Sequence, residues 1–243
     1  MKQPALADGP EISVLDSSLM TKVFYIFAAL ALLSAAISLS GRWFGHSISM
    51  AGYSDDTSLR EVVIGNNVLV VAANAIRFDR GRHDGVASRL DLYLRYPAMD
   101  GYSDAARDDF NGLAPVKNIL FLSFEERMMS RDMSGRFAPI YSALIEQPGA
   151  VGPGGTTLYA FKEKTGYLNE VLAVANRPGQ DPFVARCLSG PSAAESLAPC
   201  ERDIHMGDNL SLTYRFPQEL LADWQALDGA VAKQAAGILK TAR

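Results

Sequence analysis

Residues Val23–Leu39 read VFYIFAALALLSAAISL, seventeen positions without a charge, and no other run in the chain is comparable. A helix rises about 1.5 Å per residue, so this run covers roughly 26 Å. That is near the lower limit for crossing a hydrocarbon core of about 30 Å. Met20 and Thr21 extend it, and the Lys22 side chain is long enough to carry its ammonium to the headgroups. Trp43 and Phe44 follow Arg42 at the far end, where Trp is a typical interfacial anchor. The sequence therefore predicts a tail over residues 1–18, a membrane span over 19–44 in contact with lipid, a small and polar tether over 45–60, and one soluble domain over 61–243.

Two other readings of the run stay open. Ser34-Ala35-Ala36 offers small residues at a signal-peptidase spacing, but the segment before the run holds Asp8, Glu11 and Asp16 against Lys2 and Lys22, a poor positive leader. A helix packed on the core of a domain this size would be expected to keep a polar face, which this run lacks.

The basic residues near the span do not fix its orientation, since Lys2 and Lys22 precede it and Arg42 and Arg60 follow it. The cysteines say more. Cys187 and Cys200 are the only two, and a bond between them would contribute roughly 3 kcal/mol in an oxidising compartment. Two unrelated buried thiols are the plainer alternative. The pair favours a domain outside the inner membrane, in the periplasm if the cell is Gram-negative.

Formal charge is −4, and the first 44 residues hold three acids and three bases, so the domain carries the imbalance. A mildly acidic domain is a poor nucleic-acid binder, because phosphate contacts need a clustered positive surface. The pattern after the tether is strand and turn. Val62–Ile64 and Val68–Val71 flank a Gly65-Asn66-Asn67 turn. RLDLYLR (89–95) alternates, with Leu90, Leu92 and Leu94 on one face and Arg89, Asp91, Tyr93 and Arg95 on a charged one. Residues 119–124 read as a central strand, and short helices are expected over 103–110 and 138–145. Strands over 157–161, 168–174, 183–188 and 209–216 complete an antiparallel meander. Pro217 opens a terminal helix whose Leu220, Leu221, Trp224, Leu227, Val231, Ala235, Ile238 and Leu239 form one apolar stripe. That stripe either caps the sheet or makes this a partner-binding helix on an envelope complex. The expected class is α+β: one N-terminal transmembrane helix and a mainly antiparallel sheet domain with a C-terminal amphipathic helix.

Chemistry is sparsely signalled. His46, His83 and His205 fall in no HxxxH or HExxH arrangement, and no GxSxG or SxxK appears. GAVGPGG (149–155) lacks the GK[ST] ending of a phosphate loop, and Pro153 removes an amide donor. Met128, Met129 and Met133, with His205 and Met206, could be copper ligands, but methionines more often fill core gaps. No cofactor and no metal site is expected. The densest charge cluster is EERMMSRDMSGR (125–136), with Glu125, Glu126 and Asp132 against Arg127, Arg131 and Arg136. Internal salt bridges or a solvated loop are the plain reading. The sharper one is a polar binding site of Arg127, Arg131, Asp132 and Arg136, whose guanidinium forks would hold a carboxylate or phosphate. A second basic turn carries Arg77, Arg80, Arg82 and His83, interleaved with Asp79 and Asp84.

The segments RLDLYLRYPAMDGY (89–102) and RMMSRDMSGRFAPIY (127–141), with the single span before them, resemble a family of alphaproteobacterial transmembrane-anchored proteins. The resemblance covers most of residues 19–216. It implies a bacterial, membrane-anchored protein and assigns no catalytic residue. The expected role is a non-catalytic accessory or scaffolding subunit of an envelope complex, with a protein partner. A ligand-binding or sensing domain is the alternative, and an envelope hydrolase is a third.

Overall fold

The structure, a computed structural model, describes residues 17–49, 52–114 and 116–241. The first sixteen residues of the expected tail and the side chains of His46, Trp43 and Phe44 lie outside the described residues. The chain divides into two compact units, 1–51 and 52–243.

In the first unit, one helix runs over Ser17–Ser49, 33 residues long. Its composition explains its continuity: Leu, Ala and Met are strong helix formers, and no proline interrupts it. It spans about 50 Å. The apolar part, Met20–Ser38, has no protein packed over it. The helix continues through Gly45–Ser49, so the start of the expected tether is helical.

The second unit holds strands β1 (Leu59–Ile64), β2 (Asn67–Ala72), β3 (Gly85–Val86), β4 (Arg89–Arg95), β5 (Ile119–Glu126), β6 (Ala150–Val151), β7 (Thr157–Ala160), β8 (Glu170–Ala175), β9 (Phe183–Leu188), β10 (Cys200–Met206) and β11 (Leu210–Phe216). They form an eight-stranded sheet in the order β4-β5-β11-β10-β9-β8-β7-β6, antiparallel throughout, and a smaller sheet β2-β1-β3. The β1–β2 hairpin turns on Gly65-Asn66 with Asn67 already in its strand. Gly65 has φ +55° and a Cβ there would come within 2.9 Å of Glu126 Oε1, so both backbone and space require glycine.

Alternation sets the main core. Leu90, Leu92 and Leu94 of β4, Leu120, Leu122 and Phe124 of β5, and Leu210, Leu212, Tyr214 and Phe216 of β11 share one buried face. The small sheet covers part of it with Val62, Ile64, Leu69 and Val71, and the terminal helix is in the same core. Fully burying each such side chain contributes about 1.5–3 kcal/mol. The terminal element is a 3-10 turn, Gln218–Asp223, followed by the helix Trp224–Ile238. Its stripe faces inward: Leu221, Trp224, Leu227, Val231, Ala235, Ile238 and Leu239 are buried. The stripe therefore caps the sheet and is not a face left open for a partner.

The opposite face of β4 differs from the sequence reading. Tyr93 is buried there, because Tyr53 and Phe110 pack edge-on against it, with Tyr102 behind them. Tyr53 stacks on Tyr102 with ring centroids 4.8 Å apart, and its hydroxyl donates to Phe110 O at 2.8 Å. Asn74 N–H donates to Asp56 O at 2.7 Å, and Ala73 N–H to Ser58 O at 2.9 Å. Residues 53–58 thus belong to the folded domain and not to a free tether. A second, smaller core gathers Met133, Tyr141, Ile145, Leu172 and Val184 on the β8–β9 half of the sheet.

Cys187 and Cys200 are joined as a disulfide, directly opposite each other on β9 and β10.

Candidate functional site

The β9–β10 junction is where side chains take over from the backbone ladder. Registered pairing there runs only through Cys187↔Cys200 and Arg186↔Glu201. Leu188 N–H still donates to Pro199 O at 2.9 Å on the disulfide side, but past Arg186↔Glu201 the strands part, and the segment Met133–Arg136 reaches them. Ser134 Oγ donates to Pro182 O at 2.7 Å, and Met133 packs in the core with Val184. Arg202, only 2% exposed, spans the junction. Its Nη1 donates to Val184 O at 3.0 Å and to Ser134 Oγ at 2.9 Å, and its Nε donates to Asp228 Oδ1 at 3.0 Å. The guanidinium also lies over the Phe183 ring, 4.9 Å from its centroid.

Asp228, on the terminal helix, is the hub. It accepts from Arg202, from Tyr214 Oη at 2.6 Å, and from Arg177. Burial alone would raise its pKa, but Arg202, Tyr214 and Arg177 together hold the carboxyl below its ordinary value. Burial pushes the Tyr214 phenol well above its ordinary value, so it remains a hydrogen-bond donor. Arg136 pairs with Asp203 beside this network, and Arg186 pairs with Glu201 and Glu170. Burial raises Asp203 despite that partner. Burial also lowers His205, where Asp132 and Asp203 pull the other way and Arg127 and Arg136 add to the lowering. Asp228 is ionised and saturated by three donors, so the network fastens strands to helix and has no proton to exchange.

The sequence-derived site residues are separated by this arrangement. Arg136 is half-buried in its pair with Asp203, its guanidinium 6.0 Å from the Tyr141 ring centroid. Asp132 is half-buried, and its Oδ1 accepts the Gly135 N–H at 2.9 Å, closing a local turn. Arg127 and Arg131 are exposed on the loop after β5, with Met128 and Met129 between them. The methionines divide similarly: Met133 is buried, whereas Met128 and Met129 are exposed. Among the described residues no cluster of His, Cys, Asp and Glu could hold a metal ion. The glycine-rich segment forms β6 and a 3-10 turn at Pro153–Gly155, where Gly154 O accepts the Trp224 Nε1–H at 3.1 Å.

Sequence reasoning missed Arg202, Asp228, Arg177, Tyr214 and Ser134. One signal was present. Asp228 lies four residues after Trp224 and three before Val231, which places a carboxylate on the buried stripe. A charge there needs a buried partner.

Several hollows mark the described domain surface, among them a shallow one of 340 Å³ beside Arg177, Trp224 and Asp228, and two more lie away from that network. One of 510 Å³ lies between β8, β9 and the 3-10 turn before the terminal helix, and its charged groups are one cation, Lys117, and one carboxylate, Glu219. The other, of 320 Å³, is bounded by Phe78, Arg80, His83 and Arg89 over a floor that includes Val62, Ile76 and Leu90. The basic turn thus meets β4 at a cavity. Arg82 is spent structurally, since it donates to Ile76 O at 3.1 Å, to Gly52 O, and to Asp79.

No family model and no curated protein matches the chain. Among solved structures, it is similar to Smlt3025, an immunity protein of the Stenotrophomonas maltophilia type IV secretion system, at 13% identity and a TM-score of 0.46, over 76% of this chain and 94% of that one. It is also similar to the Neisseria meningitidis iron-regulated outer membrane lipoprotein FrpD, at 10% identity and a TM-score of 0.41, over 76% of this chain and 95% of that one. Likeness at this level says nothing of what this chain binds.

Proposed function

We propose that this chain is a membrane-anchored, non-catalytic accessory or scaffolding subunit of a bacterial envelope complex. The observation that carries the reading is the bare apolar helix. Ten large apolar side chains between Met20 and Ile37 are exposed. Leaving them in water would cost roughly 15–30 kcal/mol, more than the whole net stability of a typical domain, about 5–15 kcal/mol. Lipid is the cover that such a helix demands. The disulfide supports a domain held on the oxidising side of the inner membrane. The surface offered to a partner is the exposed loop Arg127–Arg131. Its two arginines have no carboxylate partner among the described residues, and Met128 and Met129 stand out between them. Arg and Met are enriched at protein interfaces.

The test is crosslinking of the tagged full-length protein in intact cells, followed by detergent purification and quantitative mass spectrometry. One partner in near-stoichiometric amount is expected, lost in the double variant Arg127→Glu/Arg131→Glu while the protein stays in the carbonate-washed membrane. Recovery of the protein alone would contradict the scaffold reading. Release by carbonate would contradict the anchor.

A further inference from the structure

The 320 Å³ cavity beside β4 combines an apolar floor with a positive mouth. Its volume is at the small end of ligand pockets, which run from about 300 to 1,000 Å³. Charges around it are unequal once their partners are assigned. Asp91 lines it, but its Oδ1 already accepts from Arg89 Nε at 2.8 Å and from Ser123 Oγ at 2.5 Å. Asp84 is turned to β1, where its Oδ1 accepts the Glu61 N–H at 2.8 Å. Asp79 is engaged by Arg82. Arg80 has no carboxylate among the described residues. Its guanidinium is held over Phe78, 5.4 Å from the ring centroid, and Arg77 occupies the same ring at 5.0 Å. An aromatic platform thus restrains Arg80 before any ligand arrives, which lowers the entropy lost on binding. His83 adds a second nitrogen-bearing side chain at the mouth.

We infer that this cavity binds a small amphiphilic anion: an acidic head group, phosphate or carboxylate, on a short apolar body. The head group sits at Arg80 and His83, with Phe78 beside it. The apolar body lies against Ala87 and the Phe78 ring, above the buried Val62, Ile76 and Leu90. A guanidinium fork suits both acids, as each presents paired oxygens. Burying a few methylenes on the floor contributes about 0.8 kcal/mol each. The ligand is either a lipid head group of the bilayer or a soluble metabolite, and both have the same chemistry at Arg80. This site is separate from the Arg127–Arg131 loop and stands whether or not a protein partner exists.

The test uses the full-length protein in phosphatidylcholine nanodiscs, titrated calorimetrically with hexyl phosphate and with hexanoate. Saturable binding of at least one is expected. Arg80→Ala should weaken it by roughly ten- to hundredfold, the loss of one charged hydrogen-bond set. Ser88→Trp, at an exposed position on the cavity wall, should abolish it by filling the space. Lys233→Ala, on the outer face of the terminal helix, should bind as the parent does. Thermal melts of each variant confirm that the fold is kept. Nanodiscs carrying phosphatidylglycerol, in salt high enough to screen the bilayer charge, separate the two sources. Competition there marks a lipid occupant, unchanged binding marks a soluble one, and both support the site. No saturable binding, or parental affinity in Arg80→Ala or Ser88→Trp, would overturn it.

Discussion

Half of the large sheet, β4-β5-β11-β10, is a continuous ladder. Its pairing runs unbroken from Arg89↔Glu125 to Arg95↔Ile119, and from Cys200↔Phe216 to Met206↔Leu210. The other half, β9-β8-β7-β6, is internally laddered too, but its join to the first is brief. There the sheet is held by a disulfide, by Arg202 donating across to Val184 O, and by the Arg186–Glu201 pair. The first half illustrates register fixed by alternation, where a slip of one residue would turn every leucine to the wrong face. The junction illustrates the reverse. Register is pinned at a few named atoms, and each pin carries more of the load.

The largest break in that contrast is expected at Asp228. Asp228→Ala leaves Arg202 buried without its carboxylate, a loss of about 3–5 kcal/mol. Denaturant unfolding of the detergent-solubilised protein measures it, and a loss below 1 kcal/mol would demote the network. Next is the covalent pin. The double variant Cys187→Ala/Cys200→Ala should lose about 2–5 kcal/mol in the same assay, with β9 and β10 amides losing protection before those of β5 and β11. The smallest effect concerns His205, at the end of β10 nearest Arg127 and Arg136. Burial lowers its folded pKa below the ordinary 6.5. Its contribution to stability is therefore fully present above pH 6.5 and is lost as pH falls through the lowered value. His205→Gln should flatten that part of the stability profile, read from melting temperatures across a pH series.

The same contrast explains what the sequence revealed. RLDLYLR and the strand at 210–216 were legible because a half-buried strand writes its burial into every second residue. The Gly65-Asn66 turn and the cysteine pair were legible because their chemistry is local. Tyr93 was misplaced, since its cover comes from Tyr53 and Phe110 and no period within β4 records it. CERDIHM, β10, carries Arg202 and Asp203 side by side with no alternation. That break marks the point where the strand leaves its neighbour and its charges turn to Asp228 and Arg136. In the 125–136 cluster the charges were visible but their fates were not. Arg136 is drawn into the junction by Asp203, a residue 67 positions away, while Arg127 and Arg131 stay in solvent.

Native-state hydrogen exchange of the full-length protein in nanodiscs, read residue by residue, tests the junction most directly. The account predicts that β5 and β11 amides exchange only through global unfolding, that amides flanking β9–β10 open earlier, and that reduction of Cys187–Cys200 widens the gap. A single exchange rate for both halves, unchanged on reduction, would contradict it.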